Sequence, residues 1–168
     1  MNETDTDTAF LVPSTTRNRN WNILEDTYLF NVLFRSMDNY CPDVNISVYV
    51  GYDKFHIIWV EFPPDIGNVV AVWNGLFKIA MDHGFQWFKI LGDDIRMPND
   101  ICWLRSFQNK IKKNNYIGWA AGFSGNVNIA TQFLIHKTHW EIFEFVFPPQ
   151  IKNWYCDNWL HQVYTEKY

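Results

Sequence analysis

Trp87-Phe88-Lys89-Ile90-Leu91-Gly92-Asp93-Asp94 is the stretch on which the fold turns. A short, bulky, mostly apolar run reads as a buried strand, and it passes straight into a glycine and two adjacent carboxylates. Neighbouring carboxylates repel, so a pair at a strand tip needs a reason to be there. Side chains alternate along an extended chain, so the two acids point to opposite sides unless the turn rotates them.

Working towards the N-terminus, Val69, Trp73, Leu76 and Ala80 mark a helix, with Gly84 as its stop signal. Ile57-Ile58-Trp59-Val60 reads as a strand halted by Pro63-Pro64, and Ile46, Val48 and Val50 alternate as a half-buried strand ending at Gly51-Tyr52-Asp53. Asn22 and Glu25 form a capping-box pattern for a helix whose face carries Ile23, Thr27, Phe30, Phe34 and Met37. Ala9-Phe10-Leu11-Val12 is a short buried strand stopped by Pro13.

Towards the C-terminus, Asn99 or Asp100 caps a helix carrying Ile101, Leu104, Phe107 and Ile111, with Lys110, Lys112 and Lys113 at its C-terminal end. Residues 116–123 and 131–135 read as strands around a Gly122/Gly125 loop. Thr138 and Glu141 suggest a capping box for a short helix ended by Pro148-Pro149, and Asp157 lies at the start of the last helix. Strands alternating with helices predict one α/β domain over residues 9–168, after a polar tail over 1–8. Its central sheet is expected to be mainly parallel and covered by helices on both faces.

The 168 residues are 48% hydrophobic, 19% charged and 18% aromatic, enough to bury a core without metal or disulfide staples. Fourteen basic against eighteen acidic residues give a formal charge of −4, which argues against a nucleic-acid partner. No apolar stretch approaches the roughly 20 residues of a membrane span. The acidic opening Met1-Asn2-Glu3-Thr4-Asp5 is unlike a signal peptide, and Cys41, Cys102 and Cys156 frame neither a disulfide scaffold nor a CxxC site. The expected location is the cytoplasm. The sequons at Asn2 and Asn45 are then idle.

Ligands of parallel sheets bind at the carboxyl ends of the strands. Three such tips carry polar groups: Ser14-Thr15-Thr16-Arg17, Gly51-Tyr52-Asp53 and Gly92-Asp93-Asp94. The first offers hydroxyls and a guanidinium suited to phosphate or a nucleoside, or is simply a solvated loop. The acid pair suits Mg²⁺ or Mn²⁺, which take few carboxylates and complete their shell with water and phosphate oxygens. The alternative is an acid that caps a turn or pairs with Arg96. Asp157 sits among Trp154, Tyr155 and Trp159, a setting that raises a carboxyl's proton affinity, or it serves as a helix N-terminal acid. His136 and His139 have a ligand-like spacing across a strand-to-helix turn, and His161 shares a helical face with Asp157. Surface or core histidines are the simpler reading of all three.

The order of Phe10-Leu11-Val12-Pro13-Ser14-Thr15-Thr16-Arg17, Gly51-Tyr52-Asp53, Trp73-Asn74, Leu91-Gly92-Asp93-Asp94 and Asn153-Trp154-Tyr155-Cys156-Asp157-Asn158-Trp159-Leu160 resembles GT-A-fold nucleotide-sugar glycosyltransferases. It is most similar to the small enzymes of large DNA viruses, of the chlorella-virus type, which would place it in a host cytoplasm. The resemblance implies Thr15, Arg17, Asp53 and Asn74 on the nucleoside, and a DxD-type element with Asp94 on Mn²⁺ or Mg²⁺ and Asp93 as its ribose or metal partner. Gly92 stands where a strict Asp-x-Asp has its first acid. Asp157 matches the late carboxylate that serves inverting members as base.

The expected activity is therefore metal-dependent, inverting transfer of a sugar from a nucleotide-diphosphate donor, UDP-linked, to a hydroxyl of a glycan or glycoprotein acceptor. The chain is short for this family, so the acceptor wall is expected from another subunit of a homo-oligomer, or the site is open, or activity is lost. A silent nucleotide- or carbohydrate-binding module of the same fold is the alternative. A sugar-phosphate nucleotidyltransferase is disfavoured by the lack of a Gly-rich basic loop after the first strand.

Overall fold

The computed structural model describes residues 8–14, 21–40, 47–52, 60–62, 67–98, 102–122 and 129–165. Its strands are β1 (Thr8–Pro13), β2 (Ser47–Tyr52), β3 (Val60–Glu61), β4 (Trp87–Ile90), β5 (Trp119–Ala120) and β6 (Leu134–His136). Its α-helices are α1 (Arg35–Tyr40), α2 (Val69–Asp82), α3 (Cys102–Lys112), α4 (Thr138–Phe143) and α5 (Cys156–Thr165). The fold is mixed α/β.

All these strands join one sheet in the order β3-β2-β1-β4-β6-β5. β1 pairs in parallel with β2 and with β4, and β2 with β3. β6 runs antiparallel to both β4 and β5. The parallel arrangement expected from the sequence thus holds over β3-β2-β1-β4, and reversal of β6 makes the sheet as a whole mixed. Parallel neighbours require crossovers, and α2 supplies the one from β3 to β4.

Alternation along β1 explains why both faces are covered. Ala9 and Leu11 pack with Phe88, Ile90 and Ile135 against Val70, Leu76, Phe77 and Ala80 of α2 and Leu160 of α5. Phe10 and Val12 turn the other way, onto Leu29, Leu33, Val50 and Leu91. Trp87 and Leu134 meet Leu104 and Ile111 of α3 on that second side. Across the first interface Phe77 stacks on Phe88 with ring centroids 3.8 Å apart. Complete burial of such a ring contributes about 2–3 kcal/mol.

The first helical segment departs from expectation. Leu24–Asp26 forms a 3-10 turn, Leu29–Phe34 a π-helix, and only Arg35–Tyr40 is α-helical. Asn22 does not cap it. Thr27 does the work of a cap, its hydroxyl accepting from Phe30 N at 3.4 Å and donating to Leu24 O at 2.7 Å. Leu29 and Leu33 are buried, with Phe30, Phe34 and Met37 packed against them as expected, whereas Ile23, ahead of the 3-10 turn, is 54% exposed. At α4, likewise, Thr138 spends its hydroxyl on His136 Nδ1 at 2.7 Å, and no side chain caps the helix. By contrast α2 ends as read, with Gly84 after its last turn at φ 93°, and Asn68, which the sequence reading did not single out, caps its start by accepting from Ala71 N.

Candidate functional site

Strand direction fixes where a site lies. The chain leaves β1 towards β2 and β3 on one side and returns to β4 on the other, so the order reverses between β1 and β4. Connections diverge at such a point and leave a crevice outside the carboxyl ends of the strands. Leu11 pairs with Ile90, and Leu91 N donates to Leu11 O at 3.0 Å, so three residues further on Ser14 meets Asp93. Ser14 Oγ donates to Asp93 Oδ2 at 3.0 Å. Asp93 is 1% exposed, whereas Asp94 is exposed.

The two acids diverge. A Cβ placed on Gly92 would lie 2.9 Å from Asp94 Oδ1, so the Asp94 carboxylate folds back over that glycine. Asp93 is turned to the tip of β1. The glycine allows this close approach, and its backbone is not left-handed. The turn is also held from the segment just before β6, because Gly92 N donates to Gln132 Oε1 at 2.9 Å. Gln132 adopts φ 58°, and its carbonyl accepts from Lys89 Nζ. Beyond the turn, Met97 N donates to Ser36 Oγ at 2.9 Å, tying the outgoing chain to α1.

Lys89 is 4% exposed, with Nζ 5.4 Å from the Trp103 ring centroid and 5.5 Å from that of Phe107. Burial pulls its pKa down to about 7. Rings and a carbonyl dipole together give the ammonium partial compensation for lost water.

Asp157 lies in the first turn of α5, half-buried, and burial pushes its pKa up to about 6. The neighbouring Cys156 thiol is buried and pushed up to about 12, first by desolvation and then by the charge of Asp157. The chain reaches α5 by passing the start of α2, where Val70 N donates to Lys152 O at 3.1 Å. Because α2 leads from the end of β3 to the beginning of β4, its N-terminus lies at the carboxyl edge of the parallel strands. Lys152 and the chain leading to Asp157 therefore border the same edge as Asp93 and Asp94, on the α2 face.

Asn74, expected on a nucleoside, has another task. Its Oδ1 accepts from Val146 N at 2.8 Å and Phe147 N at 3.1 Å, and its Nδ2 donates to Phe147 O at 2.9 Å. These bonds occupy the amide and fasten the segment before Asp157 to α2. His139 braces the same segment, with Nε2 3.0 Å from Val146 O and Nδ1 2.7 Å from Tyr164 Oη. Burial lowers its pKa to about 4, so it stays neutral. With His136 engaged by Thr138, the His136/His139 spacing does not make a zinc site.

Thr15, Arg17 and Asp53 lie outside the described residues. Among the described residues no group of three or more His, Cys, Asp or Glu side chains gathers to hold a metal. An exposed carboxylate beside a buried one still suits a hard cation that takes its remaining oxygens from water and a ligand. Also among the described residues, no helix is long and apolar enough to cross a membrane. No protein-family model matches the chain, and no curated protein matches it.

Proposed function

We propose that this chain is a GT-A-like, metal-dependent glycosyltransferase, moving a sugar from a nucleotide-diphosphate donor, UDP-linked, to an acceptor hydroxyl with inversion. The single observation that carries this reading is the acidic turn at the β1/β4 reversal, where Ser14 holds Asp93 and leaves Asp94 exposed. It is supported by Asp157, which follows the chain that borders the same edge at Lys152 and has a pKa of about 6.

Each group has a distinct task. Asp94, with Asp93 behind it, would hold Mn²⁺ or Mg²⁺. That ion, when bound, offsets the charge that grows on the departing diphosphate. Asp157 accepts the proton of the acceptor hydroxyl as its oxygen bonds to the anomeric carbon. The bond from that carbon to the diphosphate breaks, and its electron pair leaves with the nucleotide. A carboxylate of pKa about 6 is ionised at neutral pH yet more basic than an ordinary one. Alignment of donor and acceptor supplies much of the remaining rate. Thr15, Arg17 and Asp53 are proposed to hold the nucleoside.

One observation favours the second reading, a silent nucleotide- or carbohydrate-binding module: Asp93 is buried and committed to Ser14, leaving one exposed acid at the turn. Asp157→Asn separates the two. On the transferase reading this variant binds UDP with Mn²⁺ as the parent does but loses sugar transfer. Unchanged transfer eliminates Asp157 as base, and absence of transfer by the parent with every nucleotide sugar favours the module.

A further inference from the structure

Between the end of α4 and Asp157 the chain displays two aromatic rings that the core does not use. Trp154 is 83% exposed and Tyr155 75% exposed. Tyr155 also holds φ 74°, a left-handed conformation that is costly for a bulky residue and is not offset here by burial of its ring. Strain of this kind persists only where the surroundings enforce it. Here they do. Ile151 N donates to Pro148 O at 2.9 Å, Trp159 N to Tyr155 O at 3.0 Å, and Val70 N to Lys152 O at 3.1 Å. Asn74 and His139 fasten the chain just upstream.

The rings border an open groove of about 630 Å³, whose other walls are Gly67, Gln150, Ile151, Lys152 and Asn153. The groove is open, so a ligand would lie along it and not be enclosed. The chemistry of the lining is mixed. Flat apolar faces stand beside amide and ammonium groups, and Asp157 follows Tyr155 by two residues.

We infer that this groove is the acceptor subsite, and that its ligand is a pyranoside stacked by its C–H face on Trp154 and Tyr155 with its hydroxyls directed to Gln150 and Asn153. The inference rests on the transferase reading and narrows it. The acceptor hydroxyl belongs to a glycan and not to a protein side chain. A pyranose ring has the flat apolar face and the rim of hydroxyls that such a lining matches, as aromatic platforms with a polar surround require. A second copy of the chain is the competing occupant, and the measurement below distinguishes it.

The test is saturation-transfer NMR on the full chain with methyl glucoside, methyl galactoside, cellobiose and lactose as probes. Sedimentation and the Mn²⁺–UDP melting shift are read in parallel. The parent is expected to transfer saturation to C–H protons on one face of at least one probe. Trp154→Ala should weaken that probe at least about tenfold, and Trp154→Phe should restore part of the loss. Tyr155→Gly removes a ring while relieving the backbone, so it should lose probe affinity without loss of melting temperature. Each of these variants should keep the Mn²⁺–UDP shift. Saturation transfer to none of the probes overturns the subsite, and if the Mn²⁺–UDP shift is present the donor site stands without it. Transfer undiminished by Trp154→Ala also overturns it, as does a parent dimer that Trp154→Ala converts to monomer. Probe binding without any Mn²⁺–UDP shift keeps the sugar groove and overturns the transferase reading instead.

Discussion

Ser14 and Asp93, 79 residues apart in the chain, are joined by a 3.0 Å hydrogen bond across the tips of β1 and β4. The parallel register makes the meeting inevitable, since Leu11 already pairs with Ile90. The bond gives a buried carboxylate a donor, while its neighbour Asp94 is exposed. One acid supports the turn and the other is presented.

Gly92→Ala tests that presentation. The new methyl would approach Asp94 Oδ1 to 2.9 Å and push the carboxylate aside. Because Asp94 is exposed and the contact is with the far end of its side chain, the stability cost is expected to be small, about 1 kcal/mol or less. The metal-dependent part of nucleotide binding should nevertheless fall. Calorimetric titration of UDP with and without Mn²⁺ checks it, and an unaltered Mn²⁺ dependence would show that the Asp94 position does not matter.

Asn74→Ala is expected to act on stability. It strips the acceptor from Val146 N and Phe147 N and the donor from Phe147 O, for a loss of about 2–3 kcal/mol in chemical denaturation. Nucleotide affinity of the folded fraction should be unchanged. A stable variant with selectively weakened nucleotide binding would return Asn74 to the nucleoside.

Lys89→Met probes the buried ammonium. Its pKa falls from 10.5 to about 7 on folding, so between those values the unfolded chain binds a proton that the folded chain does not. The lysine's contribution is therefore least favourable below about pH 7 and improves as pH rises towards 10.5. The melting-temperature difference, variant minus parent, should shrink between pH 7 and 10. A difference that is flat with pH would mean the ammonium is not desolvated as its burial implies.

Asp157 carries the opposite linkage. Its carboxyl rises from 3.8 to about 6 on folding, so the folded state holds the proton more tightly. The favourable contribution is complete below about pH 3.8 and is lost as pH climbs through 6. Asp157→Asn should accordingly melt higher than the parent at pH 7.5, and the two should converge near pH 4. Transfer by the parent should rise with pH through about 6, because only the ionised form is a base. A transfer rate independent of pH between 5 and 7 would remove that role.

Much of this framework was legible in the residues. The continuous apolar run Ala9–Val12, the alternation in Val48–Val50, the helical spacing in Val69–Ala80 and the run into Asp93-Asp94 are local patterns, which a sequence carries openly. What stayed hidden depends on partners far along the chain. Nothing local in Trp73-Asn74 shows that the amide will bind a segment 72 residues later. Gln132 gave no signal either, since its φ of 58° and its reach to Gly92 arise only once β6 lies beside β4. The π-register of Leu29–Phe34 was also hidden: Phe30, Phe34 and Met37 pack on the core as expected, but Leu29 and Leu33 join them and Ile23 stays outside. Of the proposed site, Asp93, Asp94 and Asp157 came from the sequence, while Ser14's hold on Asp93 required the strand register.

The central claim is that Asp94 anchors a cation beneath the diphosphate of an activated sugar. The most direct measurement is the melting temperature of the parent and of Asp94→Ala with UDP, GDP, dTDP and CDP, each with and without Mn²⁺. The account predicts a rise for the parent with UDP that is larger when Mn²⁺ is present, and loss of that metal-dependent increment in Asp94→Ala. A parent whose melting temperature is unmoved by every nucleotide in the presence of Mn²⁺ would contradict it.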